Sequence, residues 1–274
     1  MKKISQITAI IFALFLGGCS NNEGLEVSGS TSIAPLMTKL IADYQEDNDI
    51  HINLNADGSS AGINGVIKNI SDVGMSSREL DEAEQQENLN TYVVALDAIG
   101  AIVNHGNGIT NLTVQQLHDI FSGKITNWAQ VGGKDLPILI VSREDGSGTR
   151  SAFEETVDLY NEDKTSKVDD SHLIIVNSSG AVLENIIQKE GAIGYISLST
   201  ADETVKLLNI NDIAATEENV KNGKYLLSRN FNIVTKNENE ATKAFIAYLM
   251  SEKGQAVVKR EGYISVEGGA SNEK

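Results

Sequence analysis

The segment 137–160, "PILIVSREDGSGTRSAFEETVDLY", joins a short apolar run to a helical pattern through a loop rich in Gly, Ser and Thr. The apolar residues 138–141 are typical of a buried strand. Beyond the loop, Phe153, Val157 and Tyr160 recur at helical spacing. The segment therefore predicts a strand, then a Gly/Ser/Thr loop, then a helix that begins at the loop.

The same order recurs in residues 25–45 ("LEVSGSTSIAPLMTKLIADYQ"), 50–70 ("IHINLNADGSSAGINGVIKNI") and 173–190 ("LIIVNSSGAVLENIIQKE"). Strands that alternate with helices predict an α/β fold with mainly parallel sheets, in which ligands bind beyond the carboxyl ends of the strands. We expect each Gly/Ser/Thr loop to lie just beyond the carboxyl end of its strand. The residues predicted to face the core from these three helices are Ile33, Leu36, Met37, Leu40, Ile41 and Tyr44; Ile63, Val66, Ile67 and Ile70; and Val182, Leu183, Ile186 and Ile187.

Two long apolar runs indicate a division into two lobes. We interpret "TYVVALDAIGAIVN" (91–104) and "LLSRNFNIVTK" (226–236) as strands that cross between the lobes. Lobe 1 would then comprise residues 25–99 and 230–274, and lobe 2 residues 100–229. A C-terminal helix, "EATKAFIAYLMSEKGQAVVKREG", would pack on lobe 1 through Phe245, Leu249, Val257 and Val258.

The N-terminus has the pattern of a lipoprotein signal peptide. Two lysines precede an apolar run, Ile7–Leu16, that is too short to favour a spanning helix. The sequence Leu16-Gly17-Gly18-Cys19 resembles a bacterial lipobox. We expect cleavage of residues 1–18, lipidation (palmitate) of the Cys19 sulfur, and a tether of residues 19–24 on the extracytoplasmic face of the cell membrane. The alternative is a plain secretory signal in which Cys19 is incidental.

Composition excludes several classes of protein. The formal net charge of −16 argues against binding nucleic acid or anionic lipid, which needs a basic surface. One cysteine allows no internal disulfide and builds no zinc site. The four histidines, which show no metal-ligand spacing, are His51, His105, His118 and His172. We therefore expect no metal and no other cofactor.

Two enzyme patterns compete with simple binding. "GSSAG", residues 58–62, fits G-x-S-x-G and would make Ser60 the nucleophile of a hydrolase or phosphatase, with His105, His118 or His172 as base. No "HGGG"-type segment precedes it, which makes this a remote alternative. "EDGSGTR" lacks the Gly-Lys-Ser/Thr ending of a nucleotide-binding loop.

Capture of an anion fits the loops better. Only five arginines occur, and Arg78, Arg143 and Arg150 lie in Gly/Ser segments. A guanidinium matches a tetrahedral oxyanion, and helix N-termini supply backbone N–H groups and a positive dipole end. We expect Asp145 to orient the guanidinium of Arg143.

Five segments together resemble the PstS family, the phosphate-binding proteins of phosphate-specific ABC transporters. They are "SGSTSIAPL", "DGSSAGINGVIKNISDVGMSSREL", "IFSGKITNWAQVGGKDLPILIVSREDGSGTRSAFEE", "GAIGYISL" and "FIAYLMSEKGQAVVKREGY", and they cover nearly all of the chain beyond Cys19 in order. The resemblance implies a two-lobed type II periplasmic-binding-protein fold that closes over one inorganic phosphate and delivers it to membrane permease subunits. It implies a monomeric binding protein and no catalytic residue.

The resemblance also assigns ligand contacts. The expected phosphate-binding residues are Ser30, Thr31, Ser32, Ser59, Ser77, Arg143, Ser147, Gly148 and Thr149, with Arg78, Asp145, Arg150 and Ser179 in support. The better-known members of the family carry an Asp at the position of Ser77, where it accepts the proton of the bound phosphate. A Ser hydroxyl can accept or donate, so it discriminates less against sulfate. Another oxyanion, sulfate or a phosphonate, is therefore the alternative ligand.

Overall fold

A computed structural model describes residues 24–266, which form twelve strands and eight α-helices. The strands are β1 Leu25–Gly29, β2 Ile52–Ala56, β3 Val73–Ser76, β4 Asn90–Val103, β5 Asn111–Leu112, β6 Leu139–Arg143, β7 Leu173–Val176, β8 Ala192–Ser197, β9 Lys206–Leu207, β10 Asn209–Ile210, β11 Ser228–Thr235 and β12 Ile264–Ser265. The helices are α1 Ala34–Asp47, α2 Ser59–Ile67, α3 Val114–Phe121, α4 Gly148–Thr156, α5 Ser179–Gln188, α6 Glu217–Lys221, α7 Glu240–Met250 and α8 Glu252–Arg260.

The main sheet has two parallel groups of strands joined by two long antiparallel ones. Its order is β2-β1-β3-β11-β4-β8-β6-β7. β1 is parallel to β2 and β3, and β6 is parallel to β7 and β8. β11 and β4 run antiparallel to each other and to their outer neighbours β3 and β8. The predicted α/β class is confirmed: strands are parallel within each outer group, and the sheet as a whole is mixed because β4 and β11 are antiparallel to their neighbours.

The 14-residue strand β4 belongs to both groups because its two halves have different partners. Its first half, 90–98, pairs with β11, and its second half, 99–103, pairs with β8. The run at 91–104 is therefore one continuous strand, as its length suggested. The apolar core follows the same division: one cluster unites β1, β3, α1, α7 and α8, and another unites α3, α4, β8 and the second half of β4.

Most of the predicted helix faces are buried, with exceptions at helix ends. All six core positions predicted around α1 are buried. Ile70 was predicted to face the core, but α2 ends at Ile67 and Ile70 is 69% exposed. The chain leaves the helix through Asn69, whose φ of 54° is left-handed. Ile187 also projects outward, because α5 buries the adjacent Ile186 instead.

The predicted single C-terminal helix is two helices. Ser251 has an extended backbone and separates α7 from α8. Its hydroxyl accepts a hydrogen bond from the Gly254 N–H, so the residue caps the second helix. The predicted inward residues of both helices are buried: Phe245, Leu249, Val257 and Val258.

Gly62 allows helix α2 to lie directly against strand β1. A Cβ atom at this position would lie 2.6 Å from the Ser28 carbonyl oxygen and 2.7 Å from the Gly29 Cα. Gly62→Ala should therefore lower the free energy of unfolding by about 1–3 kcal/mol, the usual cost of overpacking, although Ala is the better helix former. Urea unfolding followed by circular dichroism measures the change.

Gly108→Ala is the matched control, because no atom lies within 4 Å of a Cβ added there. Equal stability of the two variants would show that α2 and β1 are not in close contact.

Candidate anion-binding site

The four Gly/Ser/Thr loops meet at one place. They follow β1, β2, β6 and β7 and lead into α1, α2, α4 and α5, so the carboxyl ends of four strands and the N-termini of four helices converge. A fifth segment, directly after β3, adds Ser77. The first N–H groups of a helix have no partner within the helix, which makes such a convergence a set of donors for an anion.

One group of hydroxyls joins the loops after β1 and β2 to the segment after β3. The Ser30 hydroxyl donates to the Ser77 Oγ at 2.9 Å, and the Ser59 Oγ lies 3.2 Å from the same atom. The Ser77 N–H donates to the Ser59 Oγ at 3.1 Å. All three side chains are buried. Since each hydroxyl can both donate and accept, the group can change the direction of its hydrogen bonds.

A second group of hydroxyls joins segments far apart in the chain. The Ser32 Oγ lies 2.8 Å from the Thr149 Oγ1 and 3.2 Å from the Ser179 Oγ. The Ser32 N–H donates to the Ser30 Oγ, which links the two groups. Loops from the N-terminal part of the chain are thus in direct contact with loops from its middle.

Arg143 is a buried cation between these loops, with only 1% of its surface exposed. One guanidinium nitrogen, Nη2, donates to the Thr31 Oγ1 at 3.1 Å, and Nη1 donates to the Ser179 Oγ at 3.4 Å. Nε and the same Nη2 also donate to the two carboxylate oxygens of Glu144, each at 2.8 Å. A bidentate partner holds the plane of the guanidinium in one orientation.

The prediction that Asp145 orients Arg143 is wrong. The carboxylate of Asp145 points outward, with a 95% exposed side chain, and accepts from Arg150 Nη1 at 2.6 Å. The adjacent residue Glu144 binds the Nε edge of the Arg143 guanidinium instead. The sequence showed both acids, and only the turn of the loop decides between them.

Arg150 stabilises the loop between β6 and α4. Its Nη1 also donates to the Arg143 carbonyl oxygen at 2.9 Å, and its Nε donates to Glu154 Oε1 at 2.7 Å. Glu154 is fully buried, and burial raises the pKa of its carboxyl, although Arg150 opposes this. The spacing of four residues within α4 was the available signal for this pair.

Ser147 and Gly148 bring the start of α4 close to the other loops. The Ser147 Oγ accepts from the Arg150 N–H and caps the helix. Gly148 has no side chain, and a Cβ there would lie 2.3 Å from the Ser59 Oγ and 2.8 Å from the Ser77 Oγ. Nearby, the Ser60 N–H donates to the Gly146 carbonyl oxygen at 3.1 Å.

Ser60 has the wrong neighbour for a nucleophile. Its Oγ accepts from Arg78 Nη2 at 3.1 Å, and a guanidinium cannot act as a general base. The rest of the Arg78 guanidinium is bound by both carboxylate oxygens of Glu84. His105 and His118 contact the main-chain carbonyl oxygens of Glu203 and Val157 instead. Within residues 24–266, no group of His, Cys, Asp and Glu side chains is arranged to hold a metal ion.

Asp57 and Asp72 are the two acids to consider in place of the missing family Asp, and neither is buried. Asp57 is exposed, and the Asp72 carboxylate accepts from the Glu26 N–H. The carboxylate of Glu144 binds Arg143 and so reaches the site only through that guanidinium. Sequence reasoning also missed Arg229, whose Nη1 donates to the Ser77 carbonyl oxygen at 3.3 Å.

Comparison with known proteins finds relatives that match along most of the chain. Residues 19–253 match the family model described as "PBP superfamily domain". The phosphate-binding protein PstS of Borreliella burgdorferi is 31% identical over 97% of this chain and 99% of its own length. PstS of Bacillus subtilis is 34% identical over 88% of this chain and 80% of its own.

Solved structures agree with these matches. A putative phosphate ABC transporter substrate-binding protein from Clostridium perfringens, with bound phosphate, is 39% identical and has a TM-score of 0.85 over 89% of this chain and all of its own. An ABC-type phosphate transport receptor from Vibrio cholerae is 37% identical, with a TM-score of 0.76 over 88% of this chain and all of its own.

The close approach at Gly148 gives a test of the site. Gly148→Ala should weaken the binding of inorganic phosphate at least about tenfold, or ~1.4 kcal/mol, because the new Cβ pushes α4 away from Ser59 and Ser77. Titration calorimetry measures the affinity.

Gly180→Ala is the control: Gly180 lies at the start of α5, and no atom lies within 4 Å of a Cβ added there. Unchanged affinity in Gly148→Ala would show that this contact is not part of the bound state.

Proposed function

Since the chain belongs to the PstS family of phosphate-binding proteins, we propose that it captures inorganic phosphate outside the cytoplasm and delivers it to the permease subunits of an ABC transporter. The observation that carries the proposal is the buried set of hydroxyls around Arg143 at four helix N-termini. Such a set is rich in donors and suits a ligand made of acceptor oxygens.

The proposed ligand contacts are those predicted from the sequence, with one change in support. Hydroxyls that bond to one another in this structure would turn to donate to phosphate oxygens. The guanidinium of Arg143 would add a charge-assisted bond while Glu144, not Asp145, holds it in place. Ser179 is in reach of both Ser32 and Arg143 and supports the site. The direct contacts proposed are Ser30, Thr31, Ser32, Ser59, Ser77, Arg143, Ser147, Gly148 and Thr149.

We also propose that the chain works as two lobes that close on the ligand. The proposed lobes are residues 25–99 with 230–274, and residues 100–229. Two facts support this. Within the described residues, the chain passes from one group of parallel strands to the other only along β4 and returns only at the start of β11. The contacts Ser32–Thr149 and Ser60–Gly146 join the two sides at the site. Bending in the two crossing strands would open these contacts to admit phosphate.

A lipid anchor at Cys19 would keep the receptor beside its permease. The signal peptide 1–18 and the lipobox lie outside the described residues, so this proposal rests on the sequence pattern. No helix within residues 24–266 is long and apolar enough to cross a bilayer. We propose that the protein acts as a monomer on the extracytoplasmic face of the cell membrane.

A second oxyanion is a candidate because of one specific feature. Ser30, Ser59 and Ser77 meet through hydroxyls alone, and no bond in this group involves a carboxylate. Hydroxyls can satisfy a protonated or an unprotonated oxygen, so sulfate is the ligand to compare with phosphate. Parallel calorimetry of residues 19–274 with phosphate, sulfate and arsenate tests the proposed function directly, and no binding of any of the three would overturn it.

Arg143→Ala should weaken phosphate binding by at least about 2 kcal/mol, because it removes a buried, charge-assisted contact. Arg260→Ala is the control, since Arg260 lies on the surface and pairs with its neighbour Glu261. Calorimetry of the two variants and the wild type measures the difference. Equal changes in phosphate affinity in the two variants would show that Arg143 is not part of the site.

Ser77→Asp should increase the preference for phosphate over sulfate and make phosphate affinity depend on pH. An ionised carboxylate only accepts, so it would need a proton on the ligand, whereas the Ser77 hydroxyl turns to donate. In the wild type, phosphate affinity should change little between mildly acidic and mildly alkaline pH. Titration of both anions against both proteins measures this.

The sulfate affinity of the wild type can contradict this prediction. If it already rejects sulfate by more than about 4 kcal/mol, the scale of leaving buried polar groups unpaired, then another group supplies the acceptor and this account of Ser77 is wrong.

A further inference from the structure

Arg229 and Asp97 form a buried ion pair behind Ser77. They lie directly opposite each other on β11 and β4, the two crossing strands. Arg229 donates from Nε and Nη2 to Asp97 Oδ2 at 3.0 and 2.8 Å, and both side chains are nearly inaccessible to solvent. The remaining nitrogen, Nη1, donates to the Ser77 carbonyl oxygen at 3.3 Å.

The same strand holds the next peptide as well. The Asn232 Nδ2 donates to the Arg78 carbonyl oxygen at 3.1 Å, and the Asn230 Nδ2 donates to Glu79 Oε1 at 2.9 Å. The backbone pairing of β3 with β11 ends at Ser76. Side chains of β11 therefore replace the sheet hydrogen bonds just where the chain turns toward the hydroxyl cluster.

A structural role alone does not explain an ion pair at this place. Burying two charges costs several kcal/mol per ion, and well-packed apolar residues of similar volume often serve stability equally well. The special feature of Arg229 is its third bond, which fixes the orientation of the Ser77 peptide. The same residue, Ser77, carries the hydroxyl that contacts Ser30 and Ser59.

We propose that Arg229, held by Asp97 and assisted by Asn232, is a positioning residue for the anion site and acts through Ser77. The proposal rests on the function proposed above. Arg229 does not contact the ligand; it keeps the Ser77 carbonyl turned toward the crossing strands, so that the hydroxyl stays aligned with Ser30 and Ser59. Asp97 Oδ1 also accepts from the Ser197 hydroxyl at the end of β8, which ties the same pair to the second group of strands.

The test removes the ion pair without leaving a buried charge. The double variant Arg229→Met with Asp97→Leu replaces both side chains by apolar ones of similar size. We expect its thermal midpoint to stay near that of the wild type and its phosphate affinity to fall about tenfold, the scale of one hydrogen bond to a charged group. Calorimetry and thermal unfolding of the ligand-free protein measure the two quantities separately.

A double-mutant cycle with Ser77→Ala tests the route of the effect. If Arg229 acts through the Ser77 hydroxyl, the loss caused by the double variant should nearly vanish in a Ser77→Ala background. The same tenfold loss in both backgrounds would overturn the proposal, because the pair would then act on the whole site. Wild-type affinity in the Arg229→Met, Asp97→Leu protein would also overturn it.

Two further variants complete the design. Leu249→Ala, on the buried face of α7 and outside the loops of the site, should lower stability and leave phosphate affinity unchanged. If the double variant does not fold, Asn232→Leu tests the proposal instead, because it keeps the side-chain volume and removes the donor to the Arg78 carbonyl. It should weaken phosphate binding severalfold. Unchanged affinity would overturn the proposal. A wild-type protein that fails to bind phosphate would instead refute the proposed function.

Discussion

The burial of Arg143 is the constraint on which the site depends. A charged guanidinium out of contact with water costs several kcal/mol unless its donors find partners. Glu144 accepts from Nε and Nη2, while Nη2 also reaches Thr31 and Nη1 reaches Ser179. Since Thr31 is 112 residues away in sequence, the cation makes all of these bonds only when the loops after β1, β6 and β7 are together. The charge that would bind an anion therefore also helps to bring the loops into contact.

The sheet makes this meeting possible. Parallel strands direct all their carboxyl ends to one edge, so each Gly/Ser/Thr loop arrives at the same side of its own strand group. β4 and β11 then set the two groups beside each other, with opposed pairs such as Asp97 and Arg229 at the junction. The small residues are needed because the contact is tight, and at Gly148 even one added carbon would overlap a Ser oxygen of the facing loop.

The sequence was informative wherever the signal was local. Strand, loop and helix follow one another within about 20 residues, so the α/β class, the crossing strand at 91–104 and the Gly/Ser/Thr clusters were all predictable. Hydrogen-bond partners that lie far apart in the sequence were not predictable. Arg229 and Asp97 are 132 residues apart, and neither lies in a recognisable motif. The choice of Glu144 over Asp145 depends on the turn of one loop, and the break at Ser251 depends on one extended residue.

The charges around the site lead to a conclusion about how it would hold phosphate. Arg78, Arg143, Arg150 and Arg229 are each bonded to a carboxylate, so these four cations near the hydroxyls are already paired. The whole chain has a formal charge of −16, and long-range attraction for a dianion is therefore absent. The favourable interaction must come from short-range donors, namely hydroxyls, helix N-termini and a guanidinium fixed in orientation by Glu144. Such donors act only at hydrogen-bonding distance, so we expect the positions of Ser77 and Arg143 to matter more to binding than the sum of the charges.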